Sequence, residues 1–308
     1  MNNEITELRK RISASLSFSI DSRIPRYKIL QTKNEKTYAR NLISYKGNEN
    51  DEIKAFLYLP YTNKQNAGIL IHHQHNSEYH LGKSEVAGIA GNKFQAFAPA
   101  LAKMGFTVLV PDRITFEDRR KNCKGLTIDK FDWHQHYNEF CYRLINGKLL
   151  ITKVLNDSTI ALNLLANLKT VNANKLMVVG HSDGGNNALF QSALDTRITY
   201  CCASGSLCSY KCKILNQTGI SMMLMIPFFL KEFEMNHLVK CIAPRHLLLL
   251  SADRDKYSMD SDKIYNRCKE IWGNQQEHIL HNRYHGEHAL NGIRFNDIIN
   301  WISNTIKP

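Results

Sequence analysis

MVVGHSDGGNNALF, residues 177–190, is the stretch on which the rest of the chain depends. KLMVVGHS (175–182) reads as a buried strand and 186–194 as a helix. Between them, Gly180-His181-Ser182-Asp183-Gly184 is a G-x-S-x-G with the strand before and the helix after that the motif requires. So tight a turn needs small residues two positions either side of the serine. It lifts Ser182 above the sheet, beside a helix N-terminus where the dipole and free N–H groups favour developing negative charge. The bland alternative is a glycine-rich turn around an ordinary serine. The flanking strand and helix favour a nucleophile.

Outward from this turn, short apolar runs alternate with helical spacing. Strands are expected over about 37–44, 52–59, 67–73, 106–112, 198–205, 246–253 and 277–280, and helices over 93–104, 149–168, 262–272 and 296–306. Such alternation implies an α/β fold, a mostly parallel sheet with helices on both faces. Two stretches, about 113–147 and 206–245, break the alternation and are expected as lid-like inserts. Residues 1–35 are expected as an N-terminal helical extension and 36–308 as one α/β domain.

A serine hydroxyl needs a base to become a good nucleophile. With this motif the chain order is serine, acid, histidine. LLLLSADRDKYS supplies Asp253 and Asp255 just past a buried strand, and HILHNRYHGEHALNG supplies His278, His281, His285 and His288. Spacing alone does not choose among them.

The stretches HHQHNSEYHLGKSEVAG, TVLVPD, GHSDGGNNALF, APRHLLLLSADRD and GEHALNG resemble α/β-hydrolases of the dienelactone hydrolase and acetyl-xylan-esterase-like group. The resemblance runs from about residue 51 to the end. It implies an α/β-hydrolase fold and a Ser-His-Asp triad of Ser182, His288 and Asp255, the histidine falling in Gly286-Glu287-His288. It also implies an oxyanion hole built from the backbone N–H of Asp183 and of Gln74 or His75. Two positions depart from the family pattern: Lys256 follows the acid where proline is usual, and the charged Asp183 follows the nucleophile. The Asp183 carboxylate is expected to form a salt bridge with a Lys or Arg or, failing that, to favour cationic substrates. The apolar run ISMMLMIPFFL (220–230) is expected to wall an acyl pocket through Met223 and Phe229, with plain core packing as the alternative.

The expected function is therefore a serine hydrolase acting on a carboxylic ester of a small or medium molecule. Acyltransferase, thioesterase and peptidase activities would use the same triad, and a non-catalytic binding protein is the alternative from another class. His72, His73, His75 and His80 fall close together, yet only His73 and His75 share a strand face and no further ligand is evident at zinc-like spacing. No metal and no cofactor is expected. A second HQH, His134–His136, is expected as a solvated or lid segment.

The net charge of +12 is spread along the chain without a nucleic-acid motif, so no nucleic-acid partner is expected. The longest apolar run is too short to span a bilayer and Pro227 interrupts it. Without a signal-like N-terminus, a cytoplasmic location is expected. None of the eight cysteines forms a CxxC pair, and no disulfide is expected in a reducing compartment. A homodimer is left open.

Overall fold

A computed structural model of the chain describes residues 2–62, 64–122 and 124–306; Cys123 lies outside them. Its strands are β1 (Tyr27–Asn34), β2 (Tyr38–Lys46), β3 (Glu52–Pro60), β4 (Asn66–His72), β5 (Thr107–Pro111), β6 (Val171–His181), β7 (Ile198–Ser204), β8 (His246–Ala252) and β9 (Ile279–Tyr284). Its helices are α1 (Asn2–Ser15), α2 (Lys83–Val86), α3 (Phe97–Lys103), α4 (Asp132–Ile145), α5 (Leu150–Ala166), α6 (Asp183–Leu194), α7 (Tyr210–Leu215), α8 (Met235–Ile242), α9 (Ser261–Cys268) and α10 (Gly292–Thr305).

The strands make one sheet in the order β1-β2-β3-β5-β4-β6-β7-β8-β9. Pairing is antiparallel from β1 through β3 to β5 and parallel from β5 onward. Central strands are apolar on both faces because both are covered. Leu70, Val178, Cys201 and Leu249 point into a core shared with α1, α5, α6, α8 and α9. Their neighbours Ile69, Ile71, Val179, Cys202 and Leu250 point into a second core under α3 and α10. Each such side chain contributes about 1.5–3 kcal/mol by leaving water.

This topology positions the site. β4 and β6 are adjacent and parallel, with His72 opposite Gly180. Both strands therefore release their loops at the same edge of the sheet, where open α/β sheets form their crevice.

The N-terminus differs from a purely helical extension. Only Asn2–Ser15 is helical, and β1 is the edge strand of the same sheet. Helix α1 is docked: Ile12 and Leu16 are buried, and Arg9 donates to the carbonyls of Ala193 and Cys241 at 2.9 Å each. The inserts also carry structure. The first holds α4, and the second holds α7, α8 and two short 3-10 turns packed into the core. No single helix among the described residues is long and apolar enough to cross a membrane. The seven described cysteines are all free.

Candidate active site

The turn between β6 and α6 is fixed by what glycine permits. A Cβ on Gly180 would lie 2.3 Å from the Gly184 carbonyl, and one on Gly184 would lie 2.2 Å from the His72 oxygen. Only hydrogen at both positions lets α6 start directly over the ends of β6 and β4. Ser182 itself sits at φ 57° and ψ −123°, a backbone region that L-residues rarely adopt. Holding it there costs on the order of 1–3 kcal/mol, which the fully buried α6 and the flanking strands offset.

His288 Nε2 lies 2.8 Å from Ser182 Oγ, and His288 Nδ1 lies 2.9 Å from Asp255 Oδ1. The Asp255 side chain is fully buried, while that of His288 keeps 26% of its surface exposed. Burial alone would raise the Asp255 pKa. Hydrogen bonds from His288, Ser258 and the Tyr257 amide outweigh it and hold the carboxyl below its usual range. The His288 ring is flanked by Tyr257 at 4.7 Å and His181 at 4.9 Å. Gly205, at φ +58°, leaves room for this convergence: a Cβ there would meet His181 Cε1 at 2.8 Å and His288 Cε1 at 3.2 Å.

The other candidates go elsewhere. Asp253 pairs with His285 at 2.7 Å, but both side chains are exposed, 42% and 77%. His281 bonds Ser251, and His278 contacts the Pro244 carbonyl. Sequence reasoning did not single out Ser258, Tyr257, Gly205 or His181, which hold this arrangement together. Their roles arise from contacts between distant segments.

The histidine-rich loop after β4 borders this site, and most of its ring nitrogens are engaged within the protein. His72 donates from Nε2 to Gln191 at 2.7 Å and accepts at Nδ1 from Asn187 at 3.1 Å. His73 accepts at Nε2 from the Arg113 amide and donates from Nδ1 to the Gln74 carbonyl. His75 accepts from the Ser77 amide. Burial pushes the pKa values of His72 and His75 down to about 4 and that of His73 to about 3. The rings are neutral, and both ring nitrogens of His72 and His73 are already engaged. The N–H groups of Gln74, His75 and Asp183 donate to no acceptor among the described residues. Of the two loop residues, only His75 lines the cleft at Ser182; the Gln74 side chain turns inward onto Glu85.

That cleft has a volume of about 310 Å³. Ile220 and Leu224 of the second insert line it, together with Asp183, Lys213 and Tyr257. Met223 and Phe229, the expected pocket residues, do not. Both are 2% exposed: Phe229 packs among Phe190, Tyr210 and Phe233, and Met223 Sδ lies 3.8 Å from Arg113 Nη1. In this irregular backbone the run divides: Met223, Leu224, Ile226 and Phe229 turn inward, while Met225, Phe228 and Leu230 are exposed. Asp183 forms a buried ion pair with Arg113, Oδ2 to Nη1 at 2.7 Å. Burial would raise the Asp183 pKa, but Arg113 outweighs that and holds it near 2.

The acetyl xylan esterase (AXE1) family matches the chain over residues 18–245. The chain belongs to that family. It is a carboxylic ester hydrolase with the α/β-hydrolase fold. The matched segment holds Ser182 and the β4 loop but ends before Asp255 and His288. Among curated proteins, YtaP of Bacillus subtilis (strain 168), provisionally named a hydrolase, is 29% identical over 217 residues, 67% of each chain. Solved structures share the fold at lower identity. A Bacteroides fragilis NCTC 9343 protein provisionally named an acetyl xylan esterase superposes with a TM-score of 0.78 at 14% identity, covering 99% of this chain and 88% of its own. A glucuronoyl esterase from Solibacter usitatus gives 0.66 at 13% identity, covering 95% and 91%.

Among the described residues of this family member, two groups of side chains bring three metal-type ligand atoms together, and neither includes a histidine. Asp112, Glu117 and Asp118 surround the buried ammonium of Lys83, which fills the place a cation would take. In the other group, Asp260 already accepts from the Ser209 amide and hydroxyl, and burial pushes the Cys208 thiol well up, away from the thiolate a metal needs.

Proposed function

We propose that the protein hydrolyses short-chain carboxylic esters, with Ser182 as nucleophile, His288 as general base and acid, and Asp255 as the residue that orients and stabilises the imidazolium. The observation that carries this reading is the unbroken hydrogen-bond chain Ser182–His288–Asp255, whose acid is buried.

Ser182 Oγ attacks the acyl carbon as its proton passes to His288 Nε2. Negative charge gathers on the former carbonyl oxygen, where the N–H groups of His75 and Asp183 receive it. Donors of this kind contribute roughly 3–4 kcal/mol each in the transition state. The imidazolium then protonates the departing alcohol, leaving an acyl group on Ser182. Water, deprotonated by the same histidine, releases the acid and restores the serine. The Asp183 carboxylate does not oppose the oxyanion, because Arg113 neutralises it.

A short acyl group is favoured by the size of the cleft, about 310 Å³ with only Ile220 and Leu224 as aliphatic walls. Membership of a family named for acetyl esters points the same way. Hydrolysis of nitrophenyl esters from acetyl to decanoyl tests this reading. Activity should be highest at the short end and absent from Ser182→Ala. A maximum at the long end would refute the short-acyl reading.

A further inference from the structure

Lys213, in the second insert, lines the same cleft as Ser182 and is only 3% exposed. It has no carboxylate partner among the described residues, although three carboxylates lie close enough to influence it. Each of those is engaged elsewhere. Asp183 is taken by Arg113 at 2.7 Å. Glu234 accepts from the amides of Tyr210 at 2.9 Å, Lys211 at 3.2 Å and Met235 at 2.8 Å. Asp260 accepts from the Ser209 amide at 3.0 Å and hydroxyl at 2.5 Å. The ammonium also lies 5.9 Å from the centroid of the Tyr210 ring.

Among the side chains that line the cleft, the charges therefore do not all pair off directly. Arg113 and Asp183 compensate one another, and Asp255 is matched to His288. Lys213 makes no direct ion pair among the described residues: Glu234 and Asp260, which accept only from neutral donors, keep their charge and act on it from beyond ion-pair distance. An ammonium held largely out of water without a direct ion pair is costly, and burial outweighs the nearby negative groups and lowers the Lys213 pKa below the ordinary lysine value. Cleft space is what remains for a counter-ion to occupy.

We infer that the cleft accepts an ester that itself carries a carboxylate, and that this carboxylate pairs with Lys213. The inference rests on the Ser182 chemistry proposed above and names the substrate class of that site. It is opposite to the cationic preference that the sequence offered as the alternative to a salt bridge at Asp183, because Arg113 pairs with that carboxylate while Lys213 supplies a positive charge.

Two matched ester pairs test it at fixed ionic strength, with rates corrected for hydroxide-catalysed reactivity. Phenyl acetate against 4-acetoxybenzoate places the carboxylate on the alcohol side. Phenyl butyrate against phenyl hemisuccinate places it on the acyl side. In at least one pair the anionic ester should have a kcat/KM roughly 10- to 100-fold higher, mostly through KM, the range for hydrogen bonds to charged groups. Lys213→Met should bring that ratio close to one, and Lys213→Arg should retain most of it. Because Lys213→Met could fail to fold, inhibition of wild-type phenyl acetate hydrolysis gives a second readout: benzoate should inhibit more strongly than benzamide. Ratios at or below one in both pairs, a ratio unaltered in folded Lys213→Met, or benzamide matching benzoate would overturn the inference while leaving Ser182 chemistry intact. Absence of Ser182-dependent hydrolysis of every ester would instead remove the reading beneath it.

Discussion

Arg113 Nη1 lies 2.7 Å from Asp183 Oδ2, with both side chains at least nine-tenths buried, so the charge beside Ser182 is cancelled within the protein. The guanidinium is also fixed from the other side, 4.6 Å above the Phe116 ring. Asp183→Asn leaves this cation buried without a partner and should cost about 3–5 kcal/mol of stability. Adding Arg113→Met should recover part of that loss, as read from urea unfolding. Matched neutral and cationic esters should change by the same factor in Asp183→Asn; a selective loss on the cationic ester would give Asp183 a direct role in substrate choice.

The two acid–histidine pairs near the C-terminus should separate cleanly. Asp255→Asn favours the wrong imidazole tautomer and should lower kcat by about 10⁴. Asp253→Asn disturbs the exposed pair with His285, while its amide oxygen can still accept from the Gly286 N–H, and it should stay within a few-fold of wild type. Equal losses in kcat/KM from the two variants would contradict the geometry.

Gly205 predicts a positional effect. In Gly205→Ala, the new methyl would crowd His181 and His288 at 2.8 and 3.2 Å, from a left-handed backbone at φ +58°. Pushing the imidazole off Ser182 by about 1 Å should lower kcat by roughly 10², with KM little altered. A folded Gly205→Ala enzyme with wild-type kcat would show that His288 tolerates displacement.

The buried neutral histidines predict acid sensitivity. Burial pushes His72 and His75 down to about 4, and His73, His136 and His181 down to about 3. Their folded pKa values lie below the unfolded value of about 6.5, so the unfolded chain binds more protons in between. Stability is fully present above about pH 6.5 and falls as pH drops toward 4 and 3, by about 1.4 kcal/mol per unit for each histidine involved. The urea midpoint should therefore be clearly lower at pH 5 than at pH 7.5. An unchanged midpoint would mean that these rings are not buried as neutral groups.

The parts of the fold legible in the sequence were those whose signal is local. β4, β6 and β8 are continuous apolar runs because both faces are covered, and the elbow is marked by glycines that no other residue could replace. β1 escaped notice because it is an edge strand with almost every side chain exposed, so no alternation records it. The choice between Asp253–His285 and Asp255–His288 was invisible to spacing, since the pairs are 32 and 33 residues apart. What separates them is burial. Met223 and Phe229 show the same limit: an apolar run reveals that a segment is covered, not which side chain faces a cleft and which faces the core. Lys213 carried no signal at all, because its lack of a partner depends on bonds that Asp183, Glu234 and Asp260 make elsewhere.

The activation of Ser182 by His288 is tested most directly by the rate of fluorophosphonate labelling followed by peptide mapping. Wild-type protein should gain one adduct, on Ser182, rapidly and without any need for added metal. Ser182→Ala should not label, and His288→Ala should label slower by orders of magnitude while remaining folded. Rapid labelling that persists in Ser182→Ala, or that is unaffected by His288→Ala, would contradict the proposed nucleophile and base.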